Sequence, residues 1–434
     1  MGTHVTDPPR RKTQVPVAAL GFIMFTAGAA LSACGTTKPA AEGTPPLAAA
    51  EPQAKQESSA TEIAEGQRIF RFETFGDEQL WTDQLHLNEV VEKNVDPTTA
   101  LKVGLKVDAD ALPAGILEKV DLKSPATTVA LLKMNAVVGL QATVDPSNHI
   151  TRLGVTCALC HSTVDNSLAP GIGRRLDGWP NLDLDVGKIV GLSQSAAIAP
   201  FVAEFAEWGP GKYDARHHAF DGRRLILLNT PSIPVVIPPA YGLRGVGFET
   251  YTGDGPISYW NAYVGITQMG GEGTFDDPRI PLTVRQRPDR VQRKLPALLA
   301  YQLSLPAPPP PAGSFDPAAA ARGQQVFDDP ALGEGRCARC HIPPTYTDVL
   351  SGPDATIPVL HDADEISADA EYASRSATGM YRTTPLRALW QHPPYFHDGR
   401  AADLFAVVAH YETTFGFTLT AQQKADLVAF LQSL

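Results

Sequence analysis

Two short segments of the sequence share the pattern Cys-x-x-Cys-His, at residues 157–161 and 337–341. Two thiols three residues apart on one helical turn can form thioether bonds to both vinyl groups of a porphyrin. The adjacent histidine then lies beneath the iron as its proximal ligand. The pattern therefore predicts two covalently bound haem c groups. The thioethers would form at Cys157, Cys160, Cys337 and Cys340, and the proximal ligands would be His161 and His341.

Zinc binding and dithiol redox chemistry are the alternatives for these motifs. A zinc site needs four nitrogen or sulfur ligands close together, and the two pairs of cysteines lie 180 residues apart in the sequence. A thioredoxin-type pair needs a βαβ context, which neither segment shows. Haem is favoured over both.

The fifth cysteine, Cys34, belongs to an export signal. Three basic residues precede an apolar stretch from Val15 to Ala33, and Leu31 to Cys34 resembles the bacterial lipobox. We expect a signal peptide over residues 1–33, a lipid on Cys34 and a flexible tether over 34–60. An ordinary signal peptide with a chance cysteine is the alternative. The protein is thus expected in the periplasm, attached to the membrane by its lipid, and Gly35 after the cysteine favours the outer membrane.

Composition and charge limit the partners. The 434 residues are 43% hydrophobic and 19% charged, with a formal net charge of −11. No basic stripe is present for nucleic acid, so a basic or neutral partner is expected, unless the acidic charge serves only solubility. Haem proteins of this compartment exchange electrons, so the expected partner is a periplasmic electron donor or acceptor.

A proline-rich segment divides the chain. Residues 306–312 predict a semi-rigid linker between an N-terminal haem domain, 61–305, and a C-terminal cytochrome c domain, 313–434. The apolar stripe over 421–434 predicts a last helix. Ala64 to Phe70 resembles Ala321 to Phe327, so each domain is expected to begin with a similar helix.

The fold predicted from these features is mainly α, with two cytochrome c-like domains. Cys157 lies much further from Gly66 than Cys337 lies from Gly323, which indicates an insertion in the first domain. The stretch from Gly171 to Pro278 is rich in Gly, Pro and aromatic residues and predicts long ordered loops. The N-terminal domain therefore carries long loop insertions, and the haems are expected to face each other across the domain boundary.

Three further segments resemble bacterial di-haem cytochrome c peroxidases and the MauG-like enzymes. They are Pro385 to Arg387, Pro394 to Arg400 and Asn229 to Ser232, and the likeness is convincing only from about Gly323 to Leu434. In this superfamily one haem transfers electrons and the other reacts with hydrogen peroxide or dioxygen. The resemblance implies that the C-terminal haem accepts electrons here and that the N-terminal haem is the reactive one.

The resemblance also supplies candidates for the C-terminal haem. The family's distal ligand lies fourteen residues after His397, which is itself expected to be haem-associated, and that position is Tyr411. Peroxidases have methionine there, whereas MauG has tyrosine. The rival is the thioether of Met380, and His410 is a weaker third candidate. We favour Tyr411.

At the N-terminal haem the resemblance is weaker. The family's catalytic glutamate falls at Gln268, which has no carboxylate, and Glu272 is the nearby substitute for acid and base chemistry. Met269 is a candidate distal ligand that would close the iron. The family's tryptophan between the haems is not evident, so Trp260 or Tyr251 is expected either to relay electrons or simply to pack.

Other polar residues are weighed as haem partners. His149, His217 and His218 are interpreted first as surface residues and second as iron ligands or propionate partners. Four arginines near the first motif suit propionate carboxylates or solvated loops, namely Arg174, Arg175, Arg223 and Arg224. Calcium is left open, because His392 stands where the family has a threonine ligand.

The sequence thus predicts an oxidoreductase with two haems, reducing peroxide or activating dioxygen. The alternative is a non-enzymatic periplasmic electron carrier. Dioxygen cleavage of a polymer, as in the distantly related rubber oxygenases, is a third possibility by analogy alone.

Overall fold

The computed structural model describes residues 58–228, 230–349 and 359–434. The predicted signal peptide, Cys34 and most of the tether lie outside these residues. No helix among the described residues is long and apolar enough to cross a membrane.

Helices make up most of the regular structure. In chain order they are α1 (Ala60–Phe72), α2 (Glu78–Trp81), α3 (Leu87–Asn94), α4 (Pro97–Lys102), α5 (Pro125–Lys133), α6 (Ala158–His161), α7 (Val186–Gly191), α8 (Val202–Ala206), α9 (Ile257–Tyr263), α10 (Leu295–Ser304), α11 (Pro317–Phe327), α12 (Ala370–Ser374), α13 (Leu404–Phe415) and α14 (Ala421–Ser433). A π-helical turn, Val264–Gln268, continues α9. Short 3₁₀ turns lie at Ala109–Ala111, Gln292–Lys294, Pro330–Gly335, Cys337–Arg339 and Leu389–Gln391.

Short strands accompany the helices, so the fold is mixed and the prediction of a mainly α chain is confirmed only in part. The ladders that the described residues form are each two-stranded. They pair Val107–Asp108 with Ile172–Gly173 in parallel, and in antiparallel fashion Leu140–Val144 with Ile150–Val155, Ser162–Val164 with Arg175–Asp177, Lys212–Tyr213 with Val235–Val236, His218–Phe220 with Leu225–Leu227, Thr274–Asp277 with Leu282–Arg285, and Leu360–His361 with Tyr381–Arg382. Two of these seven ladders, those of Lys212–Tyr213 and His218–Phe220, lie entirely within the stretch from Gly171 to Pro278 that was predicted to form ordered loops.

The predicted internal repeat is visible as the same helix packing in both halves. Helix α1 packs on α10, and α11 packs on α14. A Cβ atom on Gly66 would lie 1.9 Å from the carbonyl oxygen of Ala297, and one on Gly323 would lie 1.9 Å from that of Asp426. Each first helix therefore uses its glycine to approach the backbone of the last helix of its half.

Helix ends follow from local sequence. The Asp316 side chain caps α11 by accepting from the backbone amide of Ala318 at 2.8 Å, and Pro317 fills the first turn. Thr420 and Gln423 form a capping box at the start of α14. These caps set the register in which Gly323 meets Asp426.

The buried apolar residues form two main clusters. One contains residues between Ile69 and Tyr301, and the other contains residues between Ala320 and Leu431. All described residues nevertheless belong to one compact unit, residues 45–434. The division into two domains at 306–312 therefore stays a prediction.

Candidate functional site

The first Cys-x-x-Cys-His motif lies on a single helical turn. Cys157 precedes α6, which carries Cys160 and His161. Nδ1 of His161 lies 3.1 Å from the carbonyl oxygen of Pro238. Because a carbonyl only accepts, Nδ1 carries the proton and Nε2 keeps its lone pair. Burial lowers the pKa of His161 to about 4, so the imidazole is neutral at pH 7, as a metal ligand must be.

The second motif repeats this arrangement. It forms a 3₁₀ turn over Cys337–Arg339, and the backbone amide of His341 donates to the carbonyl oxygen of Cys337 at 3.0 Å. Nδ1 of His341 lies 2.9 Å from the carbonyl oxygen of Tyr346, which again leaves Nε2 available. Burial also lowers the pKa of His341. Both histidines are thus neutral and oriented by the backbone.

The four motif cysteines are free thiols, and each is partly buried. Desolvation raises the pKa of Cys157 and of Cys160 to about 12, and that of Cys337 to about 11. Redox-active dithiols instead need a depressed thiol pKa. The structure thus argues against dithiol exchange.

A zinc site is equally poorly supported. Among the described residues, the one grouping with metal-ligand geometry is Cys340, Asp348 and His361. It contains one thiol and neither motif histidine, whereas structural zinc takes four ligands. Paired thiols beside a neutral histidine with a free Nε2 match the covalent and axial bonds of haem c.

Each motif opens onto its own cavity. The N-terminal cavity has a volume of about 250 Å³ and is lined by Cys157, Cys160 and His161. The C-terminal cavity has a volume of about 240 Å³ and is lined by Cys337, Cys340 and His341. Aliphatic and aromatic side chains form most of both walls, which suits an apolar macrocycle.

The two cavities share a wall. It is formed by residues 236–239, Thr250, Tyr251 and Arg382, all of which line both cavities. The hydroxyl of Tyr251 donates to the carbonyl oxygen of Val236 at 3.1 Å, which fixes the ring in this wall. Because Pro238 in the same segment orients His161, one stretch of backbone serves both cavities.

Of the distal-ligand candidates for the C-terminal haem, Tyr411 lines the cavity, whereas Met380 and His410 do not. Tyr411 extends from α13, and its ring stacks on Phe415 with an interplanar angle of 13°. Burial raises the pKa of Tyr411 to about 12. His410 instead contacts the carbonyl oxygen of Ile366 at 3.0 Å through Nε2. Of the three candidates, Tyr411 is therefore the one that lines the cavity, and its role as a ligand stays a prediction.

His397 also lines the C-terminal cavity, in agreement with its expected association with the haem. Its ring stacks on Tyr372 at 4.8 Å between centroids. Its carbonyl oxygen accepts from the backbone amide of Val236 at 2.7 Å. His397 thereby ties the C-terminal cavity to the shared wall.

Gln268 and Met269 both line the N-terminal cavity. The amide of Gln268 is fully engaged: its oxygen accepts from the Tyr213 hydroxyl at 2.9 Å, and its nitrogen donates to the carbonyl of His218 and the hydroxyl of Thr267, both at 3.0 Å. Gln268 ends the π-helical turn, a distortion frequent at functional sites. An amide cannot take up a proton, so Gln268 positions its neighbours.

Glu272 does not line the N-terminal cavity. Its carboxylate lies 2.5 Å from Nε of Arg290 in a partly exposed ion pair. The chain bends at Met269 and again at Glu272, and Gly270 between them has a φ of 90°. The structure thus does not bring the candidate carboxylate to the cavity.

The expectation of three surface histidines is wrong for two of them. His149 is exposed and pairs with Glu92 at 2.8 Å. His217 and His218 are only 3% and 4% exposed, and His218 lines the N-terminal cavity. His218 belongs to a short strand, His218–Phe220, and the rings of Phe205 in α8 and of the flanking Phe201 and Trp208 lie beside this pair. The sequence gives no sign of this burial, because two adjacent polar residues usually indicate a surface position.

The four arginines considered from the sequence do not line the N-terminal cavity. Arg175 is buried but pairs with Asp108 at 3.0 Å, and the other three are exposed or paired on the surface. The arginines that line the N-terminal cavity are Arg216 and Arg382. Arg382 lies five residues before Arg387 of the family motif. This closeness in sequence is the one signal that could have pointed to Arg382. Tyr213, by contrast, has no recognisable signal in the sequence.

Calcium gains no support from the described residues. Calcium prefers six to eight oxygen ligands. The grouping of Cys340, Asp348 and His361 offers a single carboxylate as an oxygen ligand. His392 lines the C-terminal cavity, and burial lowers its pKa to about 4.

Comparison with known proteins bears on this arrangement. No protein-family model matches the chain. The methylamine utilization protein MauG of Methylorubrum extorquens is 31% identical over 129 residues, which cover 26% of this chain and 34% of MauG. The predicted resemblance to the MauG-like group is confirmed. The chain spans about a third of the length of MauG.

Two solved structures share weaker likeness. A MauG-like protein associated with microbial copper homeostasis is 18% identical, with a TM-score of 0.34 over 46% of this chain and 73% of that one. The hydrazine synthase of Kuenenia stuttgartiensis, pressurized with 20 bar xenon, is 20% identical, with a TM-score of 0.31 over 48% and 74% of the two chains. TM-scores this low do not establish a common fold.

Proposed function

We propose that this chain is a di-haem c-type cytochrome of the MauG-like kind, an oxidoreductase that reduces peroxide or activates dioxygen at its N-terminal haem. The observation that carries the proposal is the pair of cavities. Each contains one attachment motif with an oriented, neutral histidine, and the two share a wall. Two cofactors separated by one layer of residues can exchange electrons. Such exchange is required in a protein in which one haem reacts with the oxidant and the other haem delivers electrons to it.

The C-terminal haem is proposed as the electron-transfer centre. Tyr411 lines its cavity, and its phenol oxygen and Nε2 of His341 would both hold the iron there. An iron held by two side chains would transfer electrons without binding an oxidant. Burial raises the pKa of this phenol to about 12, so the side chain would have to give up its proton in order to bind.

Haem supplies redox-active iron, and the chain determines where each electron and proton goes. Tyr251 is proposed as the bridge between the cavities, since its ring lines both. Its hydroxyl donates to a carbonyl, which cannot accept the proton, so Tyr251 is not expected to form a neutral radical.

Trp260 is the less suitable bridge. The guanidinium of Arg216 lies 5.4 Å from the centroid of the Trp260 ring and 5.5 Å from that of Tyr372. Arg216 is paired with the buried carboxylate of Asp254, so its charge is largely balanced. Trp260 lines only the N-terminal cavity, whereas Tyr251 lines both. This arrangement favours Tyr251 over Trp260.

The proposed location is the periplasmic face of the outer membrane, with Cys34 carrying the lipid and a periplasmic redox protein as partner. A Cys34→Ser variant should be recovered from the soluble periplasmic fraction, whereas the parent protein should remain with membranes. Recovery of both proteins in the soluble fraction would contradict the anchor.

Met269 favours a second candidate function, that of an electron carrier. Its side chain lines the N-terminal cavity, and a thioether bound to the iron would leave no open position. Electron paramagnetic resonance of the oxidised holoprotein separates the two. One high-spin and one low-spin signal support the oxidoreductase, whereas two low-spin signals, unchanged by peroxide, support the carrier.

A further inference from the structure

The walls of the two cavities differ in charge. Among the described residues, four arginines and one acidic residue line the C-terminal cavity, namely Arg336, Arg382, Arg387, Arg400 and Glu334. The N-terminal cavity is balanced, since two arginines and two acidic residues of the described chain line it. A largely apolar cavity with an excess of positive charge in its wall favours an occupant that carries an anionic group.

Arg387 holds part of this excess charge. Its side chain is 12% exposed, and the carboxylate that pairs with it among the described residues is that of Glu249, whose Oε2 lies 3.9 Å from Nη2. The same oxygen lies closer to Nη2 of Arg382, at 3.2 Å, and the Arg382 side chain is 5% exposed. One buried carboxylate therefore faces two buried guanidinium groups, and burial lowers the pKa of both arginines. A second carboxylate would remove the imbalance.

The free donors of Arg387 indicate where that carboxylate would bind. Nη1 donates to the carbonyl oxygen of Gly242 at 2.5 Å, whereas Nε and Nη2 donate to no described residue. Nη1 of Arg382 is sealed off by protein atoms, but these two donors of Arg387 keep accessible surface, and Arg387 lines the C-terminal cavity. Nε and Nη2 form one edge of the guanidinium, and such an edge binds both oxygens of a carboxylate.

We propose that the Nε and Nη2 edge of Arg387 binds a propionate of the haem attached at Cys337 and Cys340, an inference that rests on the proposed function. A haem carries its two propionates on the side opposite its thioether bonds, so their partner must come from outside the attachment turn, as Arg387 does. Arg382 is a positioning residue, because it engages Glu249 and leaves Arg387 to the propionate. The propionate side of this haem then lies toward the wall that both cavities share.

The test is the Arg387→Gln variant of the holoprotein. Glutamine offers an amide donor for the Gly242 carbonyl but has neither the charge nor the fork. A cation beside a haem favours the reduced iron, so its loss should lower the equilibrium constant for reduction of the C-terminal haem about tenfold, or about 59 mV for one electron, in spectroelectrochemical titration. The resonance Raman bending mode of its propionates should shift to lower frequency, because a propionate hydrogen bond is lost.

Arg387→Lys is the second variant, because it keeps the buried charge without the fork. It should restore most of the reduction equilibrium while the propionate mode stays shifted. Arg174→Gln, which replaces an arginine whose side chain is 72% exposed, should change neither measurement.

An unshifted propionate mode in both Arg387 variants would overturn the proposal, even if the reduction equilibrium changed, because the charge would then act from a distance. If mass spectrometry and absorbance of the parent protein find no haem at the second motif, the proposed function fails. That outcome is distinct from failure of the role of Arg387.

Discussion

Replacing Gly323 by alanine tests whether the close approach of α11 to α14 is required. The added Cβ would lie 1.9 Å from the carbonyl oxygen of Asp426 and 2.9 Å from the amide nitrogen of Leu427, where about 3.4 Å is an ordinary contact. Both atoms belong to the helix backbone and cannot rotate away. The helices must therefore separate by about 1.5 Å, at a cost near or above the upper end of the usual 1–3 kcal/mol for overpacking. The better helix propensity of alanine returns about 1 kcal/mol, so we expect a net loss of about 2 kcal/mol or more.

Urea unfolding of the holoprotein, followed by far-ultraviolet circular dichroism and by haem absorbance, measures this loss. Gly191→Ala is the matched control, since that glycine also lies in a helix and its added Cβ would meet only a side-chain methyl of Val202 at 4.0 Å. The control should be neutral or slightly stabilising. Gly66→Ala should resemble Gly323→Ala, because its clash with Ala297 is equally close. A Gly323→Ala protein as stable as the parent would refute the packing argument and the equivalence of the two halves.

Three further outcomes are expected. Tyr411→Phe should convert the C-terminal haem from low spin to high spin in the paramagnetic resonance spectrum, whereas Met380→Leu should leave it unchanged; the reverse pattern would make Met380 the ligand. Glu272→Ala should keep peroxide turnover within about twofold, since its ion pair lies away from the cavity, and a loss of about 100-fold would restore it as the acid and base. Burial lowers the pKa of His397 from 6.5 to about 4. Between these two pH values the unfolded chain binds a proton on this histidine that the folded chain does not bind, so the free energy of unfolding falls as the pH falls from 6.5 to 4. His397→Phe should make this fall shallower in urea unfolding at the two pH values, and an unchanged slope would contradict it.

Local patterns predicted the parts of the structure that depend on local chemistry. The two attachment motifs form helical turns with their histidines oriented, and the helices around Gly66, Gly323 and residues 421–434 are present. Tyr411, which the family resemblance implied from its spacing to His397, lines the C-terminal cavity from helix α13. In each case the information lies within about fifteen residues.

The remaining features depend on contacts between distant segments. The shared wall brings residues 236–239 beside Tyr251 and Arg382, and no periodicity indicates that meeting. His218 was interpreted as a surface residue because polarity alone predicts exposure, yet the rings of Phe201, Phe205 and Trp208 enclose it. Spacing placed Glu272 near Gln268, but the chain bends between them and the Glu272 carboxylate pairs with Arg290 instead.

The backbone segment 236–239 has a consequence for any attempt to isolate one half of this protein. Its Pro238 carbonyl orients the proximal histidine of one centre, while the amide of Val236 bonds to His397 in the other half. A fragment that ended before the proline-rich linker would leave this apolar segment facing solvent, with one of its anchors missing. If the proposed function holds, single-haem versions are therefore better obtained by replacing the cysteines of one motif within the intact polypeptide than by truncation.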